Sequence, residues 1–363
     1  VGALGSGEGG GVETNLMNLT PLLARRGHSV AIAAPAGSLQ PSPEVLVYQV
    51  AGRTPVYATT AARDLPIVAQ ADGVLERMWE LAAREQDRFD AIIGINYDWL
   101  AYYVTPYFRK PVGHIISIGS QIDTVDAIIQ ERFYEMPHRF AVNTCAQANT
   151  FPFLDPCRMM SLYGGVDLSA YMFEPAAEAR LSWVARISPE KGLVDAFAVA
   201  DATRMPLDVC GKLQSQAYFD ECRERYPNVD VTYHGFLDQM ALHRVVRRTK
   251  AMLMTPHWIE AFGNTCIEAL AGGTPVIAYN YGGPSELIED GISGFLTPPR
   301  DIAAMADAVH KLDRLDRAAA RRRGEQFSME RLAQRYEYFI ERVITGTEKD
   351  ELPWEWQASH PFV

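Results

Sequence analysis

A helix-and-strand alternation runs through this chain twice, and it limits the possible folds more than any other feature. From about Glu13 to Arg26, the apolar Leu16, Leu19, Leu22 and Leu23 recur at helical spacing, and Gly27 follows as a stop. Residues 29–35 and 45–50 then read as strands, 67–86 as a helix, and 91–95, 111–118 and 140–143 as further strands. After a break near 163–175 the pattern restarts. Strands are expected at 181–185, 207–211, 229–233, 251–255 and 275–278, with helices at 192–203, 215–225, 237–247, 267–271, 302–311 and 329–344. Strands alternating with helices imply parallel sheets covered by helices, so the chain is read as α/β, with two successive doubly wound domains. The length agrees: 363 residues exceed the roughly 250–300 at which one core stops growing. The first domain is expected to span 1–170 and the second 171–344. A Trp-, Glu- and Pro-rich tail at 345–363 is expected to return to the first domain. Val1 stands in what reads as the end of a strand, so a first strand is expected to be missing.

Composition narrows the partners. The net charge is −11, from 34 basic against 45 acidic side chains, with no long run of Lys or Arg. Such a surface repels polyanions, so neither nucleic acid nor an anionic membrane is an expected partner, and any anionic ligand needs local cations. The five cysteines, Cys145, Cys157, Cys210, Cys222 and Cys266, stand singly, which fits reduced thiols in a cytoplasmic protein. No apolar stretch approaches the ~18 residues of a membrane span, and the start does not read as a signal peptide. A homo-oligomer remains open.

In open α/β sheets, ligands bind beyond the carboxyl ends of the strands, so a cleft between two such domains is the expected site. The segment Pro256-His257-Trp258-Ile259-Glu260-Ala261-Phe262-Gly263-Asn264-Thr265-Cys266-Ile267-Glu268 places two carboxylates around a Gly-Asn turn that opens a helix. The free N–H groups of Gly263, Asn264 and Thr265 suit a phosphate. Carboxylates beside a phosphate need hydroxyl partners, and a phosphate flanked by hydroxyls describes a sugar nucleotide. The plainer reading is a surface loop and a core helix with two incidental acids. Arg186 and Lys191 follow the first strand of the second domain, where cations would neutralise a departing diphosphate.

Other motifs carry less. Gly5-Ser6-Gly7-Glu8-Gly9-Gly10-Gly11 formally contains a dinucleotide pattern. However, Ala33, Ala34 and Pro35 stand where an acid would hold the ribose of NAD, so what survives is a loop able to approach a diphosphate closely. His114 closes an apolar strand and is expected to face the cleft, although a lone histidine there is more often a core residue. Asp98 follows another strand and could orient an acceptor or act as a base. The turn Gly282-Gly283-Pro284-Ser285-Glu286 opens a helix that Glu286 could cap. There is no Asp-x-Asp, so no metal site and no cofactor beyond a donor substrate are expected.

With Arg186, Lys191, Glu260 and Glu268 assembled, the chain resembles the GT4 family of retaining glycosyltransferases over nearly its whole length. The resemblance implies the GT-B fold of two facing Rossmann-like domains. Its specific elements are Glu260-x7-Glu268 around Phe262-Gly263-Asn264 and Arg186-x4-Lys191. It implies that Glu260 contacts the donor-sugar hydroxyls, Glu268 the ribose diol, and Arg186 and Lys191 the diphosphate. Gly10 and Gly11 would approach that diphosphate, His114 would lie near the sugar, and the Gly235-Phe236-Leu237 backbone would meet the base. A departure at Gly164-Gly165-Val166-Asp167, where the family usually has Asn before the second Gly, touches only the hinge turn. Strings at 5–13, Tyr97-Asp98-Trp99-Leu100, 114–120, Phe151-Pro152-Phe153 and 260–264 further resemble pterin glucosyltransferases, which move glucose from UDP-glucose to tetrahydrobiopterin. Asp98, Tyr97, Trp99 and Phe153 would then meet the acceptor, though they equally suit a phenol or a sugar. Open alternatives are a transferase with a lipid, phenolic or sugar acceptor, an epimerase or hydrolase of the same architecture, and a non-catalytic sensor.

Overall fold

The computed structural model describes residues 2–6, 11–54, 62–68, 70–154 and 159–347. The chain divides into two compact units, Val1–Gly164 with Met329–Val363, and Gly165–Ser328. Gly10 and nearly all of the 345–363 tail lie outside the described residues.

In the first unit, β1 (Val30–Pro35) pairs in parallel with β2 (Val45–Val50). A second parallel sheet has the order β3 (Ile92–Asn96), β4 (Val112–Ile116), β5 (Phe140–Val142), β6 (Met160–Ser161). Gly11 begins the first helix, Gly11–Arg25, whose Leu16 faces Ile32 and Val45 while Leu19 and Leu23 face another helix. That other helix is Met329–Thr345, and it corrects the expected boundary at 344. Its Met329, Leu332 and Ala333 pack on Leu19 and Leu23, and its Phe339 and Val343 pack on Ile115 and Ala141. Arg26 holds Glu337 through two 2.7 Å bonds. An amphipathic helix follows the apolar surface that accepts its face, whatever its place in the sequence.

The helix expected at 67–86 is shorter, Val74–Glu85. Asp72 lies in a turn and Gly73 is extended instead, bridged to Arg53: Arg53 N–H donates to the Asp72 carbonyl at 2.8 Å and Val74 N–H to the Arg53 carbonyl at 3.0 Å. Helices at Trp99–Val104, Asp123–Glu135 and Arg317–Glu325 were not anticipated, nor was the strand at 294–297.

The second unit is one parallel sheet of β7 (Glu178–Val184), β8 (Leu207–Cys210), β9 (Val231–Tyr233), β10 (Thr249–Met254), β11 (Val276–Tyr279) and β12 (Gly294–Thr297). Its order is β12-β11-β10-β7-β8-β9. The chain therefore builds outward from β7 to one edge, then returns to β10 on the other side. That reversal opens a crevice at the carboxyl ends of β7 and β10. Leu181, Trp183, Val209, Leu253 and Ile277 line the core against Phe197 and Met305, leaving the polar residues at the strand ends. Val166 N–H donates to the Phe327 carbonyl at 2.8 Å, closing this unit where the chain enters and leaves it.

Candidate active site

The crevice between β7 and β10 is where the second unit collects its functional residues. After β7, the turn Pro189–Lys191 ends at Gly192, whose φ is +70°. A Cβ there would lie 1.8 Å from the Thr255 carbonyl oxygen, so the turn carrying Lys191 can press against the end of β10 only because this residue is glycine. Thr255 completes the seam. Its hydroxyl donates to the Gly192 carbonyl at 2.8 Å and accepts from the buried Trp183 indole at 3.1 Å.

Lys191 Nζ reaches Glu260 Oε2 at 2.6 Å across 69 residues of sequence. The two side chains are only 15% and 18% exposed. The Trp258 indole N–H also donates to Glu260 Oε2, at 3.2 Å, and the Lys191 ammonium lies 4.5 Å from the Trp258 ring centre. Ion pairing, hydrogen bonding and cation–π attraction thus fix one cation and one carboxylate at the crevice. Arg186 is looser. It is 49% exposed, donates to Gln214 at 3.0 Å and approaches Glu190 at 3.7 Å.

The Glu260 segment is held from the other side by Gly282-Gly283. Gly283 N–H donates to the Glu260 carbonyl at 2.7 Å. An added Cβ at Gly283 would sit 2.1 Å from the Phe262 carbonyl oxygen, and one at Gly282 2.5 Å from that of Glu260. The glycine turn, read from sequence only as the start of a helix, is the backing of this loop. Gly283→Ala is expected to destabilise the protein by about 1–3 kcal/mol through overpacking, measured by chemical denaturation. An unchanged denaturation midpoint would mean that the loop moves aside freely.

Among the described residues, helix Asn264–Ala271 starts at Gly263 with no side-chain cap, and the Asn264 amide oxygen is buried without a partner. An uncapped start leaves its amide donors and its partial positive charge for another group. Thr265 and Glu268 share the next part of the helix surface, facing a pocket lined also by Tyr171, Gln239, His243 and Met252. Glu268 is partly accessible at the mouth of this pocket but enclosed by protein on most sides. It has no ion pair among the described residues, and burial pushes its carboxyl from 4.5 up to about 7. A carboxylate left without a partner in an enclosed pocket is suited to accept from hydroxyl groups.

Gly235, Phe236 and Leu237 stand after β9. Gly235 accepts from Gly211 N–H at 2.8 Å, Phe236 is 63% exposed, and Leu237 lines a second pocket with Arg180, Asp208 and His234. They are thus at the outer strand rather than beside Lys191 and Glu260.

Two first-unit expectations, for His114 and Tyr97, are corrected. His114 is the third residue of β4, fully buried among Tyr102, Phe140 and Trp79, with Nε2 2.7 Å from the Thr105 hydroxyl. Burial lowers its pKa to about 3, so it is a neutral core histidine and not a residue facing a ligand. Tyr97 is also buried. Its hydroxyl donates to Asp126 at 2.7 Å and accepts from the Gln121 and Ile122 amides at 2.8 Å. It pins the segment after β4 and has little left for an acceptor. Asp98 caps helix Trp99–Val104 by accepting from Leu100 N–H at 3.0 Å, and burial raises its pKa. Trp99 stacks on Tyr103, centroids 4.5 Å apart, and Phe153 packs edge-on against Phe151 at 5.8 Å.

Solved structures share this architecture over most of the chain. The Anabaena protein HepE, in complex with UDP and glucose, aligns with a TM-score of 0.72 at 19% identity over 92% of this chain and 96% of that one. AviGT4, a glycosyltransferase involved in avilamycin A biosynthesis, aligns with a TM-score of 0.69 at 20% identity over 95% and 93%. The fold is therefore that of the GT-B glycosyltransferases, built from two Rossmann-like units. Residues 174–326, nearly all of the second unit, match the family model described as Glycosyl transferases group 1. The glycogen synthase of Mycobacterium tuberculosis is 30% identical over 193 residues, which are 50% of this chain and 45% of that protein. The sucrose synthase of Acidithiobacillus caldus is 41% identical over 112 residues, 29% of this chain and 14% of that protein. The chain thus spans less than half the length of these curated relatives. No helix among the described residues is long and apolar enough to cross a membrane.

Proposed function

We propose that this chain is a retaining hexosyltransferase that moves glucose from UDP-glucose to a hydroxyl of a small acceptor, a pterin such as tetrahydrobiopterin. The observation that carries the donor half is the Lys191–Glu260 pair at the topological switch point, with an uncapped helix start and with Glu268, which has no ion pair among the described residues. Lys191, Arg186 and the amides of Gly263, Asn264 and Thr265 hold the diphosphate. Glu260 meets the sugar hydroxyls and Glu268 takes the ribose diol. Gly235, Phe236 and Leu237 are assigned to the base, and Gly10 and Gly11 to the diphosphate. The bond from the anomeric carbon to the diphosphate breaks as the acceptor oxygen bonds to the same face. The acceptor's proton passes to the departing phosphate oxygen, so no enzyme nucleophile is needed.

For the acceptor, support comes from the first-unit strings that resemble pterin glucosyltransferases; Trp99, one face of which stacks on Tyr103, is assigned to the acceptor through its other face. Asp98 remains the hydrogen-bonding candidate. The test is a mass-spectrometric product screen with UDP-glucose against pterins, phenols and sugars, the anomeric configuration being read by NMR. A glucosylated pterin with the donor's α configuration, and UDP release only when acceptor is present, is the expected result. Acceptor-independent release would favour a hydrolase, and no release with any acceptor would favour a sensor.

A further inference from the structure

Three segments that are distant in sequence meet at one carboxylate. Asp195 lies in the first turn of helix Leu193–Thr203, four residues after Lys191. Its Oδ2 is 2.7 Å from His257 Nε2 and 2.6 Å from the Tyr279 hydroxyl. Tyr279 ends β11, is fully buried and has its pKa raised by burial and by Asp195, so its hydroxyl keeps its proton and donates. His257 follows β10, and its backbone N–H donates to the Glu190 carbonyl at 2.8 Å. The ring lies against Gly192, where a Cβ would come within 3.0 Å of it. The Asp195 and His257 side chains are only 16% and 22% exposed.

A carboxylate that accepts from Nε2 fixes both the ring's orientation and the nitrogen that carries the proton. His257 so held is a strut. On one side it touches the turn that ends in Lys191, and on the other it begins the segment leading to Trp258 and Glu260. An acid in the first turn of a helix is served equally well by solvent, so helix stability alone does not call for these two bonds.

We propose that Asp195 is a positioning residue of the donor site: acting through His257, it keeps Lys191 and Glu260 at the separation that the donor diphosphate and sugar require. This rests on the donor reading above. Asp195→Asn keeps the size and removes the charge. UDP affinity by titration calorimetry is expected to fall roughly tenfold, as when a supporting hydrogen bond behind a bound group is lost. The nitrogen resonances of His257 should change from a single Nε2-protonated form to a mixture. Tyr279→Phe leaves the bond to His257 in place and should keep its tautomer, with a smaller loss of affinity. Unchanged UDP affinity and unchanged His257 resonances in Asp195→Asn would overturn the proposal. Should that variant not fold, His257→Gln decides by the same titration, a loss supporting the role and wild-type affinity removing it. Failure of the unsubstituted protein to bind UDP is a separate result, which would overturn the donor reading and this inference with it.

Discussion

Lys191→Ala is expected to lower turnover with UDP-glucose by roughly 100- to 1,000-fold, the loss typical of removing one preorganised donor to a developing anion. Lys191 is 2.6 Å from Glu260 and largely covered, so its charge acts where water screens it little. The substitution also leaves Glu260 with the Trp258 indole as its described hydrogen-bond partner, a carboxylate poorly compensated beside a diphosphate. The effect should therefore appear in both kcat and KM. UDP release in the presence of acceptor measures it, and near-normal turnover would remove Lys191 from the mechanism. Arg186→Ala should cost less, on the order of tenfold, because Arg186 is half exposed and water can take over part of its contact.

Glu268→Gln is the second large effect, and it runs in opposite directions for stability and for activity. The Glu268 carboxyl titrates near 7 in the folded protein against 4.5 ordinarily. Below 4.5 both folded and unfolded states hold the proton and this group adds no pH dependence. Between 4.5 and about 7 the folded state binds more protons than the unfolded one, so stability falls as pH rises. The full penalty, on the order of 3 kcal/mol, is present above that window. The unliganded Gln variant should accordingly melt roughly 5–10 °C higher than the parent at about pH 8, and close to it at about pH 4. Activity should do the reverse. Charge-assisted bonds to a diol contribute about 1.5–3 kcal/mol each, so the variant should bind UDP-glucose at least about tenfold more weakly. In the parent, donor affinity should weaken as pH drops below about 7, since the neutral acid loses acceptor capacity. Equal melting temperatures of parent and variant at alkaline pH would show that Glu268 is solvated.

Much of the fold was legible because parallel α/β units repeat short local patterns. Helix Ile302–Lys311 falls where its apolar spacing puts it, and the five expected strands of the second unit lie within a few residues of their apolar runs, whereas Gly294–Thr297 was not read as a strand. Gly73 shows the limit: it reads as helix by composition of the surrounding window, but pairing with Arg53 draws it into extended backbone. At the site, Glu260 and Lys191 were found because both flank strand ends. His114 was misplaced because an apolar strand with one histidine looks the same from sequence whether the ring turns outward or into the core. The role proposed for His257 was missed although the residue lies within the segment that carries both glutamates, because its partner Asp195 is 62 residues away.

The sequence by itself determined the alternation of elements, the glycines at the tight turns and the spacing of the two glutamates. These are properties of neighbouring residues and of backbone periodicity. Only the tertiary structure decided that helix Met329–Thr345 belongs to the first unit, that His114 is sealed in a core, and that Asp195, His257 and Tyr279 converge. Each of those depends on which apolar faces and buried polar groups meet after the chain has crossed from one side of a sheet to the other. Burial and long-range hydrogen bonding are properties of that packed arrangement, and no stretch of residues carries them alone.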